Sequence, residues 1–392
     1  MKELKYPENI AFAVGRLEAA GYGAYVVGGA LRNLLLGRPV HDWDLTTPAL
    51  PDEMQRIFAD CRTVTSGLKH GTLTVILGGE AVEITTFRID GEYRDSRHPE
   101  SVRFTDRIAD DLARRDFTVN AMAYSERTGL IDLFGGREDL AAGVIRAVGV
   151  PEKRFREDAL RILRAFRFSS VLGFSVEPET FRAIGICRQG LSEISAERIT
   201  AELVGILTGD GVVSAMEHMR ESGVLSLILP EAVFDGRLAR LPSVFEVRLA
   251  FCLRGVPRDV LSARLGALKL SNASASKVAR LVTLTEVDIS DCTEPRVRRL
   301  MAQAGTLFEP LLALFEALGR DVTGLSAVAE RCRARHDCLT TAELAVNGSD
   351  LIAVGISGRD IGSTLARLTE LVLDDPTLNR KDILLALAKK RV

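Results

Sequence analysis

Apolar residues follow two patterns along the chain, and the first pattern covers roughly the first 140 residues. Short runs rich in β-branched residues, with glycines close by, occur at Tyr25–Val27, Leu73–Leu77 and Val82–Phe87. Runs of this kind, bounded by turn residues, are typical of β-strands. The pattern therefore predicts an N-terminal domain in which strands alternate with turns and helices.

The second pattern begins near Glu152, where the apolar residues recur with helical spacing. Leu160, Leu163 and Phe166 fall on one side of a helical wheel. We therefore predict the α+β class, with an N-terminal α/β head that contains a mixed sheet and an all-helical remainder. Similar amphipathic runs follow at Ala201–Leu207, Val260–Leu268 and Leu311–Leu318.

Composition excludes several protein classes. The chain has 392 residues, of which 46% are hydrophobic and 27% charged, as expected for a globular protein of more than one domain. No apolar stretch is long enough to span a bilayer, and residues 1–7 lack the pattern of a secretory signal. We therefore expect a cytoplasmic protein without a membrane partner. Six scattered cysteines without a Cys-x-x-Cys pair predict neither a zinc site nor a disulfide framework.

The net charge of the chain hides a local excess of basic residues that bears on its binding partners. A value of −2 argues against nucleic acid, because binding to phosphates needs a concentration of Lys and Arg. Residues 150–170, however, carry a local balance of +3. The basic residues there are Lys153, Arg154, Arg156, Arg161, Arg164 and Arg167, against Glu152, Glu157 and Asp158.

Two glycines end the first predicted strand, and two aspartates follow about a dozen residues later. Gly28 and Gly29 have no side chains, so the backbone N–H groups at the start of a helix can approach a phosphate. Asp42 and Asp44 are two apart on the next predicted strand, so both carboxylates leave one face. Together with Glu83 on a neighbouring predicted strand, they form a set of hard oxygen ligands that suits magnesium.

This arrangement resembles the signature of the nucleotidyltransferase superfamily, in which a glycine pair precedes Asp-x-Asp. The wider set of motifs, over roughly residues 20 to 205, is similar to class II tRNA nucleotidyltransferases, the bacterial CCA-adding enzymes. The motifs are Thr85–Arg88, Tyr93–Pro99, Asp111–Ala123, Asp132–Gly136, Arg156–Phe168 and Ala196–Ile199, and segments 346–351 and 358–362 also resemble the family.

The resemblance implies roles for the head residues. Asp42 and Asp44 are expected to hold Mg²⁺, with Glu83 as a third carboxylate, and Asp116 is expected near the ribose of the nucleotide. Gly135 and Gly136 are expected to act as a hinge. The incoming triphosphate is expected to contact Gly29, Arg32 and Arg115, with Gly28 in the same turn.

The resemblance also implies four domains. Residues 1–140 are expected to form the catalytic nucleotidyltransferase head and residues 141–208 a helical neck that recognises the base. Residues 209–300 are expected to form a helical body, and residues 301–392 a helical tail that binds tRNA.

Base selection follows from chemistry in the predicted neck. Asp158 and Arg161 are three apart on a predicted helix, which makes them neighbours on its surface. Cytosine and adenine share an amino donor beside a ring-nitrogen acceptor, which a carboxylate and a guanidinium match. Uracil and guanine present a carbonyl and an N–H there, so this pair would reject them. Arg164 and Arg167 continue around the same predicted helix, where they are candidates to contact triphosphate, a stacked base or solvent.

Two positions depart from the family pattern. Asn33 stands where the family often has Asp after the motif arginine, and Arg97-His98-Pro99 stands where some relatives have Arg-Arg-Pro. Neither change removes a predicted metal ligand or base-reading group. The survival of the second motif favours addition of A as well as C.

We expect an enzyme that adds C, C and A to tRNA 3′ ends from CTP and ATP without a template, releasing pyrophosphate by a two-metal mechanism. One Mg²⁺ is expected to activate the 3′-hydroxyl and the second to neutralise the pyrophosphate. Alternatives are an A-adding enzyme, a poly(A) polymerase and an inactive RNA-binding protein on the same scaffold. The sequence leaves the oligomeric state open.

Overall fold

Residues 4–91 and 102–389 are described by a computed structural model of the chain. The chain forms two compact units, Met1–Pro230 and Glu231–Val392. The predicted head and neck both lie in unit 1, and the four-domain division remains a prediction. The motif Arg97-His98-Pro99 lies outside the described residues.

Unit 1 contains an α/β part followed by a mainly helical part. Its described strands are β1 (Tyr25–Val27), β2 (Trp43–Thr47), β3 (Arg62–Val64), β4 (Thr72–Leu77), β5 (Glu80–Thr86), β6 (Arg88–Asp90), β7 (Val102–Phe104), β8 (Met122–Ser125), β9 (Gly129–Asp132), β10 (Val144–Ile145) and β11 (Ser175–Val176). Its described helices are α1 (Glu8–Ala19), α2 (Gly28–Leu35), α3 (Pro51–Ile57), α4 (Ile108–Ala113), α5 (Gly136–Ala142), α6 (Pro151–Glu157), α7 (Leu160–Leu172), α8 (Pro178–Cys187), α9 (Ala196–Thr208), α10 (Val212–Glu221) and α11 (Val224–Ile228).

Seven strands of unit 1 form one mixed sheet in the order β3-β4-β5-β2-β1-β8-β9. The pair β2–β5 is parallel, with Asp44 opposite Glu83, whereas the other pairs in this sheet are antiparallel. Strand β4 alternates between partly exposed and buried positions, with Leu73 and Val75 fully buried. This alternation is expected of a strand with one face on the core. The predicted α+β class with a mixed sheet is confirmed.

Helix α7 forms the centre of the helical part of unit 1. Leu160, Leu163 and Phe166 are all buried, as their spacing predicts. The helix ends at Gly173, which has φ +75° and closes the last turn in the left-handed conformation. Among the described residues after the head, the secondary structure is helical except for the short parallel pair β10–β11.

In the described part of unit 2, all the secondary-structure elements are helices. The buried guanidinium of Arg298 donates to Asp337 and to the carbonyls of Leu373 and Asp374, which end the helix Asp360–Asp374, so its positive charge balances the partial negative charge of that helix end. The helices are α12 (Phe245–Cys252), α13 (Arg258–Ala267), α14 (Asn272–Leu284), α15 (Glu294–Ala304), α16 (Phe308–Ala317), α17 (Thr323–Ala334), α18 (Gly348–Ala353), α19 (Asp360–Asp374) and α20 (Lys381–Lys389).

None of the helices in the described part of the chain combines the length and the apolar content that crossing a bilayer requires.

Candidate active site

A cavity of about 670 Å³ in unit 1 brings most of the predicted site residues together. Glu83 is the one predicted residue outside its described lining, and it lies opposite Asp44 on the neighbouring strand. The predicted residues that line the cavity are Gly28, Gly29, Arg32, Asp42, Asp44, Arg115, Asp116, Asp158, Arg161, Arg164 and Arg167.

The carboxylates lie at the start of β2. Asp44 is half-buried on the strand, but Asp42 is exposed and precedes it, because β2 begins at Trp43; the prediction that both lie on the strand is wrong for Asp42. Both side chains nevertheless line the same cavity. Burial and the charge of Glu83 raise the pKa of Asp44 to about 6, against the opposing effect of Arg115. This carboxylate therefore lies in an excess of negative charge that a cation would relieve.

The glycine turn leaves room for a close approach. Gly28 is the first residue of α2 and has φ +65°, a conformation that side chains disfavour. A Cβ atom there would lie 3.2 Å from Nη1 of Arg115 and 3.5 Å from Oδ2 of Asp44. The absent side chain thus leaves room for both Arg115 and Asp44 beside the start of the helix.

A fully buried aspartate orients Arg115. Asp111 accepts hydrogen bonds from Nη2 of Arg115 at 3.1 Å and from Nε and Nη2 of Arg114 at 3.0 and 2.7 Å. Burial alone would raise the pKa of Asp111, but the two guanidinium groups outweigh it and lower the pKa. Nε of Arg115 is buried and has no partner among the described residues, and Arg115 is one of the residues that line the cavity.

Neutral amides hold Arg32. Its Nη1 donates to Oδ1 of Asn120 at 2.8 Å, and its Nε and Nη2 donate to Oδ1 of Asn33 at 3.2 and 2.9 Å. Burial lowers the pKa of Arg32 to about 10, which still leaves the group protonated at neutral pH. Asn33, at the position where the family often has Asp, thus orients the guanidinium without neutralising it.

Two buried carboxylates pair with two arginines of α7. Arg164 donates to Oδ2 of Asp116 at 2.7 Å, and Nε of Arg167 donates to Oε2 of Glu202 on α9 at 2.5 Å. Burial would raise the pKa of Asp116, but Arg164 and Arg161 lower it to about 2. Asp116 is therefore a permanent anion that anchors α7 to the segment after α4.

The predicted helical pair of Asp158 and Arg161 is wrong in one respect. Asp158 lies between α6 and α7 in extended conformation, and its carboxylate accepts from the backbone N–H of Leu160 at 3.0 Å, the local hydrogen bond of an Asx-turn. Its Oδ2 accepts from Arg198 at 2.9 Å, whereas Arg161 donates to Glu157 at 2.7 Å. Asp158 and Arg161 line the same cavity but are not paired on one helix face.

The sequence motifs contain further cavity residues to which we assigned no role. Arg114 and Asn120 fall in the motif Asp111–Ala123 and Arg198 in the motif Ala196–Ile199, so motif membership was the available signal. Phe168 ends the motif Arg156–Phe168, and its ring looks like ordinary core in the sequence. Glu202 does not line the cavity but accepts from Arg167, and in the sequence it is only a charged residue on an amphipathic helix.

The lining as a whole is basic. Seven arginines and four aspartates line the described cavity, a formal balance of +3. The negative net charge of the chain therefore conceals a concentrated site for an anion.

Comparison with known proteins identifies the family. Residues 24–146 match the family described as "Poly A polymerase head domain", and residues 173–234 match "Probable RNA and SrmB- binding site of polymerase A". A CCA-adding enzyme of Lactobacillus helveticus is 38% identical over 379 residues, which cover 93% of this chain and 92% of that protein. The chain belongs to the CCA-adding enzyme family.

Other CCA-adding enzymes are similar to this chain over almost its whole length. That of Enterococcus faecalis is 36% identical and covers 98% of this chain and 96% of its own length. The crystal structure of the Bacillus stearothermophilus CCA-adding enzyme in complex with CTP has a TM-score of 0.82 and 33% identity, covering 99% of this chain and 98% of that one. The predicted resemblance, and the prediction of a tRNA nucleotidyltransferase, are confirmed.

Proposed function

We propose that this CCA-adding enzyme adds C, C and A in turn to the 3′ end of tRNA from CTP and ATP, without a template and with release of pyrophosphate. The observation that carries the proposal is the single cavity in which Asp42 and Asp44 face seven arginines. Nucleotidyl transfer needs carboxylates for metal and cations for the triphosphate at one place. We place the reaction in the cytoplasm, where tRNA and both nucleotides are available.

Asp42 and Asp44 are the residues that would hold magnesium. The raised pKa of Asp44 supports this fit, because a carboxylate crowded by Glu83 gains from a nearby divalent cation. The described residues contain no cluster of three or more His, Cys, Asp and Glu side chains that could hold a metal ion. For Glu83 we propose an electrostatic role, because its charge adds to burial in raising the pKa of Asp44. Two bound metals would supply Lewis acidity for the 3′-hydroxyl and charge neutralisation for pyrophosphate.

The arginines would bind and orient the triphosphate. Arg32 keeps its charge because its partners are amide oxygens, and Arg115 is oriented by the buried Asp111. Gly28 and Gly29 at the start of α2 would let the phosphates approach the backbone closely. Held in this way, the α-phosphate faces the attacking hydroxyl and the developing charge is stabilised by fixed cations. Asp116 would lie near the ribose, as the family resemblance implies.

Asp158 and Arg161 would read the base from fixed positions. Asp158 is held by Leu160 N–H and Arg198, and Arg161 donates to Glu157 and to the carbonyl of Arg114. A guanidinium has five donors and a carboxylate about four acceptor sites, so both can hold these contacts and still bind a base edge. An acceptor beside a donor selects C and A over U and G.

Two rivals share the fold. An A-adding enzyme and a poly(A) polymerase both use a head of this type, and the match to the poly(A) polymerase head domain covers residues 24–146. An RNA-binding protein without activity would gain nothing from Asp42 and Asp44 beside a phosphate site. These rivals differ from CCA addition in their products.

The test incubates purified protein and magnesium with three tRNAs that end before the first C, after CC and after CCA. CTP and ATP are supplied separately and together, products are resolved to one nucleotide, and released pyrophosphate is measured. We expect growth of the first tRNA to a discrete CCA end with one pyrophosphate per nucleotide. Asp42→Ala and Asp44→Ala should abolish it, whereas Asp52→Ala, an exposed acid on α3, should not.

Other products would contradict the proposal. Addition of a single A only to the CC-ended tRNA would indicate an A-adding enzyme, and long A tracts would indicate a poly(A) polymerase. Tight tRNA binding without incorporation would indicate the binding protein. Full activity of Asp42→Ala and Asp44→Ala would exclude the assigned metal ligands.

A further inference from the structure

We propose that Phe168 is a positioning residue whose ring gathers Arg32, Arg164 and Arg167 into one binding unit for the phosphate chain of a nucleoside triphosphate. The inference deepens the proposed function, because it rests on the assignment of this cavity to nucleotide. Phe168 is an apolar residue, and neither the family resemblance nor the proposed reaction assigns it a role.

The ring has three guanidinium groups around it. The Cζ atoms of Arg167, Arg32 and Arg164 lie 4.4, 5.1 and 5.3 Å from the ring centroid of Phe168. All three distances fall within the range of cation–π attraction. Phe168 is 4% exposed, yet its ring forms part of the cavity lining. It therefore lies between the core and the site.

Packing fixes the ring in this place. Phe117 meets Phe168 edge-on, with 5.7 Å between the ring centroids and 84° between the planes. Phe117 is fully buried in the segment after α4, and Phe168 lies on α7. Edge-to-face contacts of this kind restrict the orientation of both rings. The aromatic surface offered to the arginines is thus rigid.

Charge explains why an aromatic residue suits this position. Burial is the main cause of the lowered pKa of Arg32, and the charges of Arg167 and Arg164 lower it further, because the three guanidinium groups repel one another. Asp116 and Glu202 are the carboxylates that accept hydrogen bonds from the cluster among the described residues, and Arg32 has only amide oxygens. The ring attracts cations through its quadrupole without carrying a charge. It holds the cluster together and leaves its excess positive charge for a polyanion.

The three arginines also come from two different helices. Arg32 belongs to α2, at the glycine turn, whereas Arg164 and Arg167 belong to α7. The stem of Arg167 is confined by Gly205, where a Cβ atom would lie 2.5 Å from its Cδ. Phe168 is therefore the shared contact that keeps the α2 cation beside the α7 cations. A phosphate chain, with charge spread over several oxygens, matches such a spread of donors.

The test compares Phe168→Leu, which removes the π-face, with Phe168→Tyr, which keeps it. Phe166→Leu is the matched control, because Phe166 is fully buried on the same helix and lies outside the described lining. Calorimetry measures binding of CTP, ATP, inorganic tripolyphosphate and cytidine to the full chain without tRNA. Thermal unfolding of each variant measures the structural cost.

We expect Phe168→Leu to weaken binding of CTP, ATP and tripolyphosphate by about tenfold, the size of a partly desolvated cation–π contribution. Cytidine binding should not change, and Phe168→Tyr should restore the affinities. In the tRNA assay, KM for CTP and ATP should rise by one common factor with kcat unchanged. Phe166→Leu should lower the melting temperature as much as Phe168→Leu does, yet keep the affinity for tripolyphosphate.

Several outcomes would overturn the inference. Unchanged tripolyphosphate binding in Phe168→Leu would do so, as would equal losses of affinity in Phe168→Leu and Phe166→Leu. A loss confined to cytidine would show instead that the ring serves the base. The proposed function fails separately: CCA addition by the wild type with normal phosphate affinity in Phe168→Leu refutes only the role of Phe168. Conversely, tripolyphosphate binding that depends on Phe168 without CCA addition refutes only the proposed function.

Discussion

Gly136, the first residue of α5, lies where a side chain has no room. A Cβ atom there would be 2.2 Å from the carbonyl oxygen of Thr118 and 2.9 Å from Cγ of Met122. The neighbours cannot move away easily. The hydroxyl of Thr118 donates to Asp139 on α5 at 2.6 Å, and Asp132 accepts from the backbone N–H of Gly136 at 2.8 Å. Gly136→Ala must therefore shift backbone rather than a flexible side chain.

The expected cost follows from this clash. Ordinary contact is about 1 Å longer than the 2.2 Å separation. Overpacking of a tight site costs about 1–3 kcal/mol, and contact with backbone places Gly136→Ala near 3 kcal/mol. For a unit of this size, that loss lowers the melting temperature by roughly 6–12 °C.

The single tryptophan makes the assay specific to unit 1. Trp43 is buried at the start of β2, so its fluorescence reports the unfolding of the unit that contains Gly136. Gly185→Ala is the control, because Gly185 lies in α8 and a Cβ atom there has nothing within 4 Å. That control should gain about 0.5–1 kcal/mol from the better helix propensity of alanine. Equal melting temperatures for Gly136→Ala and the wild type would refute the reasoning.

Three further predictions concern a buried carboxylate, the carboxylate proposed to read the base, and a helix cap. Arg164 and Arg161 lower the pKa of Asp116 to about 2, so the contribution of this carboxylate to the stability of unit 1 is complete above about pH 4 and is lost as the pH falls towards 2. Unfolding followed by Trp43 fluorescence should show this loss of stability in acid, and Asp116→Asn should make the stability of unit 1 less dependent on pH in this range. Asp158→Ala should raise KM for CTP and ATP by about tenfold or more and increase UTP incorporation, measured on tRNA lacking its 3′ end, because the acceptor for the amino group is lost; unchanged selection against UTP would contradict this. Asn347→Ala should cost about 1 kcal/mol, because Oδ1 caps α18 through the N–H groups of Ser349 and Asp350; hydrogen exchange at those two amides should accelerate, and unaltered protection would argue against the cap.

Local pattern determined much of this protein. The runs at residues 25–27, 73–77 and 82–87 became β1 and parts of β4 and β5, since a strand needs only alternating burial and β-branched residues. The spacing of Leu160, Leu163 and Phe166 marked the buried face of α7. The motif residues also indicated the family, because catalysis constrains them at fixed short distances along the chain.

Tertiary structure decided how those residues meet. The order of the sheet places Asp44 opposite Glu83, a pairing between residues almost forty positions apart that no local spacing contains. The chain leaves the helical conformation at Asp158, which accepts from Leu160 N–H and from Arg198, although the apolar periodicity continued through it. Arg32 contacts the ring of Phe168 although it lies on α2 and Phe168 lies on α7. Charge, burial and hydrogen bonding act through space, so the partners of each site residue depend on the fold rather than on the order of the chain.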